Sequence, residues 1–206
     1  FCFCFFLYFG ALYISFLFIV ISKFEENAKE VEFDGKTYVI EELSEDSFDD
    51  VDIALFSAGG SISKKFGPIA AAKGCFVVDN SSAFRMTDGV PLVIPEVNPE
   101  AMADYKLGKK NGGIIANPNC STIQMLVALK PIHDAVGISR VNVATYQSVS
   151  GAGQSAVEAL ASETAQLMNG RPQDGQGQFA RQIAFNVIPQ IDVFLENGYT
   201  KEEMKM

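Results

Sequence analysis

The stretch Ile53-Ala-Leu-Phe-Ser-Ala-Gly-Gly60 decides the fold. Its apolar residues read as a strand that ends in small residues. A helix-compatible run follows from Ser63 to Lys73, and then a second apolar strand, Cys75-Phe-Val-Val-Asp79. Strand, tight turn, helix and strand make the βαβ unit of a doubly wound sheet. The small residues of the turn, Ser57 to Gly60, let a phosphate or ribose approach the backbone where such sheets bind nucleotides. As a motif this turn equally fits an ordinary tight connection.

Working outward, Gly113-Ile-Ile-Ala116 predicts a further buried strand that Pro118 ends. Ser121 to Ala128 open an amphipathic helix, with Ile123, Met125, Leu126, Val127 and Leu129 as its apolar positions. Cys120 therefore sits at a strand-to-helix elbow, among backbone N–H groups and at the positive end of a helix dipole, the setting in which a thiol becomes a nucleophile. A buried, inert cysteine is the alternative on local sequence alone. On the other side, Val31-Glu-Phe-Asp-Gly-Lys-Thr-Tyr-Val39 alternates around Asp34-Gly35, a β-hairpin signal.

Gly137 opens a second α/β region. It is expected to hold a strand from Val141 to Val149, a helix from Gln154 to Met168, and a Gly/Pro/Gln-rich loop over 169–177. Apolar strands from Phe185 to Phe194 come next. Ala156, Val157, Leu160, Ala161, Leu167 and Met168 form a core-facing stripe on the helix. Thr200-Lys-Glu-Glu203 reads as a capping box that starts another helix, placing Glu202 and Lys205 on one face. The fold class is thus α/β, with a doubly wound, Rossmann-like nucleotide-binding domain over 23–136 and a second α/β domain over 137–206.

The runs Ile53 to Gly60, Val78-Asp-Asn-Ser-Ser-Ala-Phe-Arg-Met86, Val93-Ile-Pro-Glu-Val-Asn-Pro99, Ile115-Ala-Asn-Pro-Asn-Cys-Ser-Thr-Ile-Gln124 and Thr145-Tyr-Gln-Ser-Val-Ser-Gly-Ala-Gly153 closely resemble the aspartate-semialdehyde dehydrogenases. The resemblance covers about residues 31–206 and implies NADPH-dependent reductive dephosphorylation of L-aspartyl 4-phosphate to L-aspartate 4-semialdehyde. That reaction lies on the route to lysine, threonine and methionine. It makes Cys120 the acyl-thioester nucleophile, with Asn119 and the elbow amides stabilising the oxyanion and Gln147 orienting the substrate. Arg85 becomes a phosphate-binding arginine, whose planar fork suits phosphate oxygens; a surface ion pair is the alternative. Glu202 and Lys205 match the residues that meet the substrate amino group and the phosphate; without the resemblance they read as a solvated helical charge pair. Ser57, Ala58, Gly59, Asn80, Ser150 and Gly151 are the implied NADP contacts. The same resemblance implies homodimerisation, and it makes 23–136 a truncated cofactor-binding domain and 137–206 a partial dimerisation and catalytic domain.

Departures from the family pattern accompany these matches. The N-terminal region has no Gly-x-x-Gly-x-x-Gly loop, and residues 1–22 are apolar and uncharged. They read as sequence of doubtful origin, with a membrane anchor as the minority reading. His133, the one histidine, lies 13 positions after Cys120. With Pro131 expected to interrupt or kink the helix between them, and the far end of that helix roughly 15 to 20 Å from Cys120, His133 reads as structural. The catalytic histidine and the carboxylate-binding arginine of the family are not matched. The expectation is a fragment of such an enzyme, with a non-catalytic anion-binding or dimerising piece as the alternative.

Composition narrows the classes further. With 16 Lys plus Arg against 25 Asp plus Glu and a net charge of −9, there is no basic stripe for nucleic acid. The acidic residues lack metal-ligand spacing, and no metal is expected. The four cysteines form no disulfide framework, which suits a reducing cytoplasm.

Overall fold

The computed structural model describes residues 30–105, 112–171 and 178–206. The apolar segment 1–22 and most of the loop at 169–177 lie outside them. The chain divides into two compact units that meet in sequence between Ile138 and Ser139.

In the first unit, β1 (Glu30–Phe33) and β2 (Lys36–Val39) pair antiparallel, with Phe33 opposite Lys36. The two-residue loop is Asp34-Gly35, with φ of 50° and 69°. Positive φ at both central positions gives the primed turn whose twist matches paired strands, which is why this dipeptide signals a hairpin. A three-stranded parallel sheet comes next, of β3 (Ile53–Phe56), β4 (Phe76–Asp79) and β5 (Gly113–Ala116) in the order β3-β4-β5. The register sets Phe56 beside Asp79 and Asp79 beside Ala116. Leu92 adds one parallel bridge to Ala116.

Helix α1 (Gly60–Ala72) connects β3 to β4 and packs on the sheet. Its buried Phe66 and Ala70 meet Phe48, Val51, Phe56, Cys75 and Val77 in one apolar cluster. Phe48 stands 5.8 Å from Phe56 and 6.3 Å from Phe66, ring centre to ring centre. Gly67 is explained by closeness: a Cβ there would sit 3.1 Å from the Phe84 ring. That ring anchors the loop carrying Arg85. Lys73 at the end of α1 bonds Asp49 at 2.7 Å and Asp46 at 3.4 Å, an exposed cluster of small energetic weight.

Cys75 is fully buried. Burial, assisted by the charge of Asp52, pushes its thiol up from about 9 to about 11. The unfolded chain therefore releases this proton two pH units before the folded chain does. The contribution is complete below pH 9 and is lost as pH rises towards 11, at about 1.4 kcal/mol per unit. Far-UV circular dichroism of urea unfolding between pH 8 and 11 is expected to show stability falling by about 2 kcal/mol, and the fall to be flatter in Cys75→Ala. Equal slopes in the two proteins would show that Cys75 is not its source.

Helix α2 runs from Cys120 to Val136 and contains Pro131. Of the expected interruption or kink, the interruption does not occur. Proline removes one N–H, but the turns on either side of it hold, including a Lys130–Asp134 ion pair of 2.6 Å across it. His133 accepts the Ile138 amide at Nδ1, 3.1 Å away, and so serves the C-terminal end of this helix.

In the second unit, α3 spans Gln154–Met168 as expected. The strand expected from Val141 to Val149 is absent: the segment has no sheet neighbour among the described residues, and Val149–Ala152 is a 3-10 turn. The strands expected from Phe185 to Phe194 are likewise absent, apart from a single Phe194–Thr200 bridge. Apolar alternation favours a strand only when a partner receives its backbone groups. The α3 stripe is only partly covered, since Ala156 is buried while Val157 and Met168 are 38% and 76% exposed. Glu163 on the same helix is 2% exposed, and its Oε2 accepts the amides of Ile183 at 2.8 Å and Ala184 at 2.7 Å. This carboxylate fastens an irregular segment to α3.

The capping box at Thr200 is present in both directions. The Thr200 amide donates to Glu203 Oε2, and the Glu203 amide donates to Thr200 Oγ1. The box opens a short 3-10 turn, Glu203–Lys205, rather than a longer helix. Among the described residues no helix is long and apolar enough to cross a membrane.

Candidate active site

The three parallel strands end together, and each is succeeded by a polar residue. Ser57 comes after β3, Asn80 after β4 and Asn117 after β5. The ladder continues one rung further through Asn80 N–H to Phe56 O and Asn117 N–H to Asp79 O, each 2.8 Å. The Asn117 side-chain amide then donates to Asn80 Oδ1 at 2.7 Å, and Asn80 Nδ2 donates to Ser57 Oγ at 3.4 Å. Ligands of open α/β sheets bind beyond this carboxyl edge.

Beneath the row lies Asp79, which is fully buried. It accepts Ser63 Oγ from α1 at 2.6 Å, the Ser81 hydroxyl at 2.8 Å and the Ser81 amide at 3.2 Å. Ser81 Oγ in turn accepts the Ala83 amide. With Phe84 packed on Gly67, these bonds fix the segment that delivers Arg85 to the sheet edge. There Arg85 Nε donates to Asn117 O at 2.8 Å and Nη2 to Asn80 O at 3.2 Å.

At the β3 end, Gly59 precedes α1 with φ of 95°, and no side chain caps the helix. A Cβ at Gly59 would meet nothing within 4 Å. Ser57, Ala58 and Gly59 are exposed. A bare helix N-terminus with room in front of it fits a phosphorylated nucleotide approaching the backbone.

At the β5 end, Asn117-Pro118-Asn119 turns the chain into α2. Asn119 is the N-cap, with φ −64° and ψ 144°, and its Oδ1 accepts the Ser121 amide at 2.9 Å. It is 7% exposed. Cys120, the first helical residue, is exposed. Sequence and structure agree in setting a thiol at a helix start, where the cap engages the Ser121 amide.

This architecture has counterparts. Residues 15–105 match the family model for the semialdehyde dehydrogenase NAD binding domain, and residues 129–206 match that for the semialdehyde dehydrogenase dimerisation domain. Aspartate-semialdehyde dehydrogenase 2 of Vibrio cholerae is 58% identical over 190 residues, 92% of this chain and 55% of that protein. The chain belongs to the aspartate-semialdehyde dehydrogenase family. The enzyme of Aquifex aeolicus is also 58% identical, over 179 residues covering 86% of this chain and 52% of its own length. The crystal structure of aspartate semialdehyde dehydrogenase II from Vibrio cholerae, complexed with ASA, superposes with a TM-score of 0.83 at 56% identity, over 91% of this chain and 55% of that one. The chain spans about half the length of the family members it matches.

The second unit carries the remaining residues singled out by the family motifs. Gln147 is exposed and its Oε1 accepts Thr145 Oγ1 at 2.9 Å. Ser150 and Gly151 lie in the 3-10 turn before α3, where Ser148 Oγ accepts the Ser150 amide. Lys205 Nζ lies 2.8 Å from Glu202 Oε2 and 3.2 Å from Asp192 Oδ2. Burial alone would lower the Lys205 ammonium, but hydrogen bonds and charge from Glu202 and Asp192 outweigh it and raise it. Asp192 carries no motif in the sequence. Its φ of 67° is unusual for a residue with a side chain, and its Oδ1 accepts the next amide, Val193. That bond first, and Lys205 second, lowers its carboxyl. Nothing in local sequence announces a left-handed aspartate. Asn117 is a further residue that sequence reasoning missed, although it stands inside the Asn-Pro-Asn-Cys run.

Proposed function

We propose that the protein contributes to NADPH-dependent reductive dephosphorylation of L-aspartyl 4-phosphate to L-aspartate 4-semialdehyde, with Cys120 as nucleophile. The observation that carries this reading is the exposed Cys120 thiol at the start of α2, on the same elbow whose Asn117 carbonyl holds Arg85. Arg85 takes the phosphate of the acyl phosphate in a planar fork. The Cys120 sulfur, as thiolate, attacks the acyl carbon. A C–S bond forms, the C–O bond to phosphate breaks, and phosphate leaves with that electron pair.

The Cys120 amide and Asn119 serve the oxyanion that develops at the acyl oxygen. NADPH, when bound, supplies the hydride that reduces the thioester; release of the sulfur then frees the aldehyde. Ser57, Ala58, Gly59, Asn80, Ser150 and Gly151 are the residues assigned to holding the cofactor. Gln147 orients the acyl group, Glu202 meets the substrate ammonium and Lys205 adds to phosphate binding. Homodimer formation belongs to the same reading, as does a place in lysine, threonine and methionine synthesis.

The test is to mix the chain with L-aspartyl 4-phosphate, quench in acid and map peptides by mass spectrometry. A hydroxylamine-labile aspartyl adduct on the Cys120 peptide, with release of one phosphate per adduct, is expected. Adduct spread over lysines, or none, would reject the reading.

A further inference from the structure

Asn80 and Asn117 are joined twice over at the carboxyl edge of the sheet. Their side chains share the 2.7 Å hydrogen bond from Asn117 Nδ2 to Asn80 Oδ1, and their backbone carbonyls share one guanidinium, that of Arg85. The two carbonyls directly follow neighbouring parallel strands, and Asn117 stands three residues before Cys120. The plane of the guanidinium is therefore referred to the same backbone that carries the thiol. A side-chain bond of this kind, lying at an exposed edge, adds little to folding. It does hold the two carbonyl anchors at a fixed spacing, and errors of about 1 Å in such spacings cost up to 10²-fold in reactivity.

We propose that Asn117 is a positioning residue: its side-chain bond to Asn80 sets the angle at which Arg85 presents its fork to an acyl phosphate above Cys120. This rests on the reading of Arg85 and Cys120 given under Proposed function. Asn117 touches no reacting atom. Its main-chain carbonyl survives substitution, so only the side-chain half of the bracket is removed by Asn117→Ala.

Acetyl phosphate is the probe, with the full chain and thioester formation followed by quenched flow. In Asn117→Ala the concentration giving half-maximal acylation is expected to rise about tenfold, a change of about 1.4 kcal/mol. The rate of Cys120 alkylation by iodoacetamide, which needs no phosphate site, is expected to stay within twofold, and the far-UV circular dichroism melt to stay unchanged. Asn117→Gln, which keeps the amide, is expected to recover most of the loss. Asn117→Ser takes the place of the alanine variant if that one fails to fold.

An unchanged half-saturation in Asn117→Ala, alongside a raised one in Arg85→Ala, would overturn the proposal and leave the reading of Arg85 standing. An unchanged value in both variants would remove Arg85 from phosphate binding and the proposal with it. Equal losses in acylation and alkylation would mean that Asn117 merely shapes the elbow, and would also overturn it.

Discussion

Replacing Cys120 with serine is expected to lower the rate of acylation by an acyl phosphate by roughly 10⁴-fold or more while leaving the fold intact. Two features separate chemistry from stability here. The thiol is exposed, so it contributes little to packing. The helix cap is supplied by Asn119 Oδ1, so the start of α2 does not depend on the residue at 120. A serine hydroxyl stays protonated at neutral pH and attacks poorly without an adjacent base. Circular dichroism and urea midpoints should coincide with those of the parent, while acyl adduct at this position disappears. The complementary check is peptide mapping after brief iodoacetamide treatment of the folded chain. Label is expected on the Cys120 peptide and not on the Cys75 peptide, because Cys75 is buried and its thiol is held up to about 11. Equal labelling of both would mean that the first unit opens readily.

The largest loss of stability is expected from Asp79→Ala, about 3 kcal/mol or more. Three donors converge on this fully buried carboxylate, and hydrogen bonds to a charged acceptor contribute about 1.5–3 kcal/mol each, against which stands the cost of burying the charge. Alanine leaves the Ser63 hydroxyl, itself fully buried, without its acceptor and releases the Ser81 turn that leads to Arg85. Such an orphaned donor costs more than a pair removed together. Adding Ser63→Ala to Asp79→Ala is therefore expected to restore about 1 kcal/mol, a coupling that a double-mutant cycle isolates. The chain has no tryptophan, so far-UV circular dichroism in urea is the appropriate observable. A loss below about 1 kcal/mol would mean that water replaces the carboxylate and that the site is less enclosed than its geometry indicates.

Legibility in the sequence tracks locality. The βαβ unit around Ser57 to Gly60, the Asp34-Gly35 hairpin, the elbow at Cys120 and the span of α3 all rest on residues close in the chain, where turn chemistry and helical period act directly. The segments from Val141 and from Phe185 show strand alternation yet form no strand, because a strand needs a partner that alternation does not reveal. Pro131 misleads in the opposite direction, since one missing N–H is tolerated by a helix whose other bonds hold. Of the candidate site, Arg85 and Cys120 are legible from motifs. The bracket of Asn80 and Asn117 is not, because it exists only where two strands lie side by side. Asp192 is hidden for a related reason: its link to Lys205 spans 13 positions of irregular chain and depends on a left-handed backbone.

The division between Asn119 and Cys120 has an engineering consequence. With the cap held at one position and the sulfur at the next, residue 120 is an interchangeable socket at the sheet edge. Selenocysteine or a non-natural nucleophile placed there would inherit the same approach direction and backbone amide, allowing the reactivity of the attacking atom to be varied as an independent coordinate on a fixed scaffold.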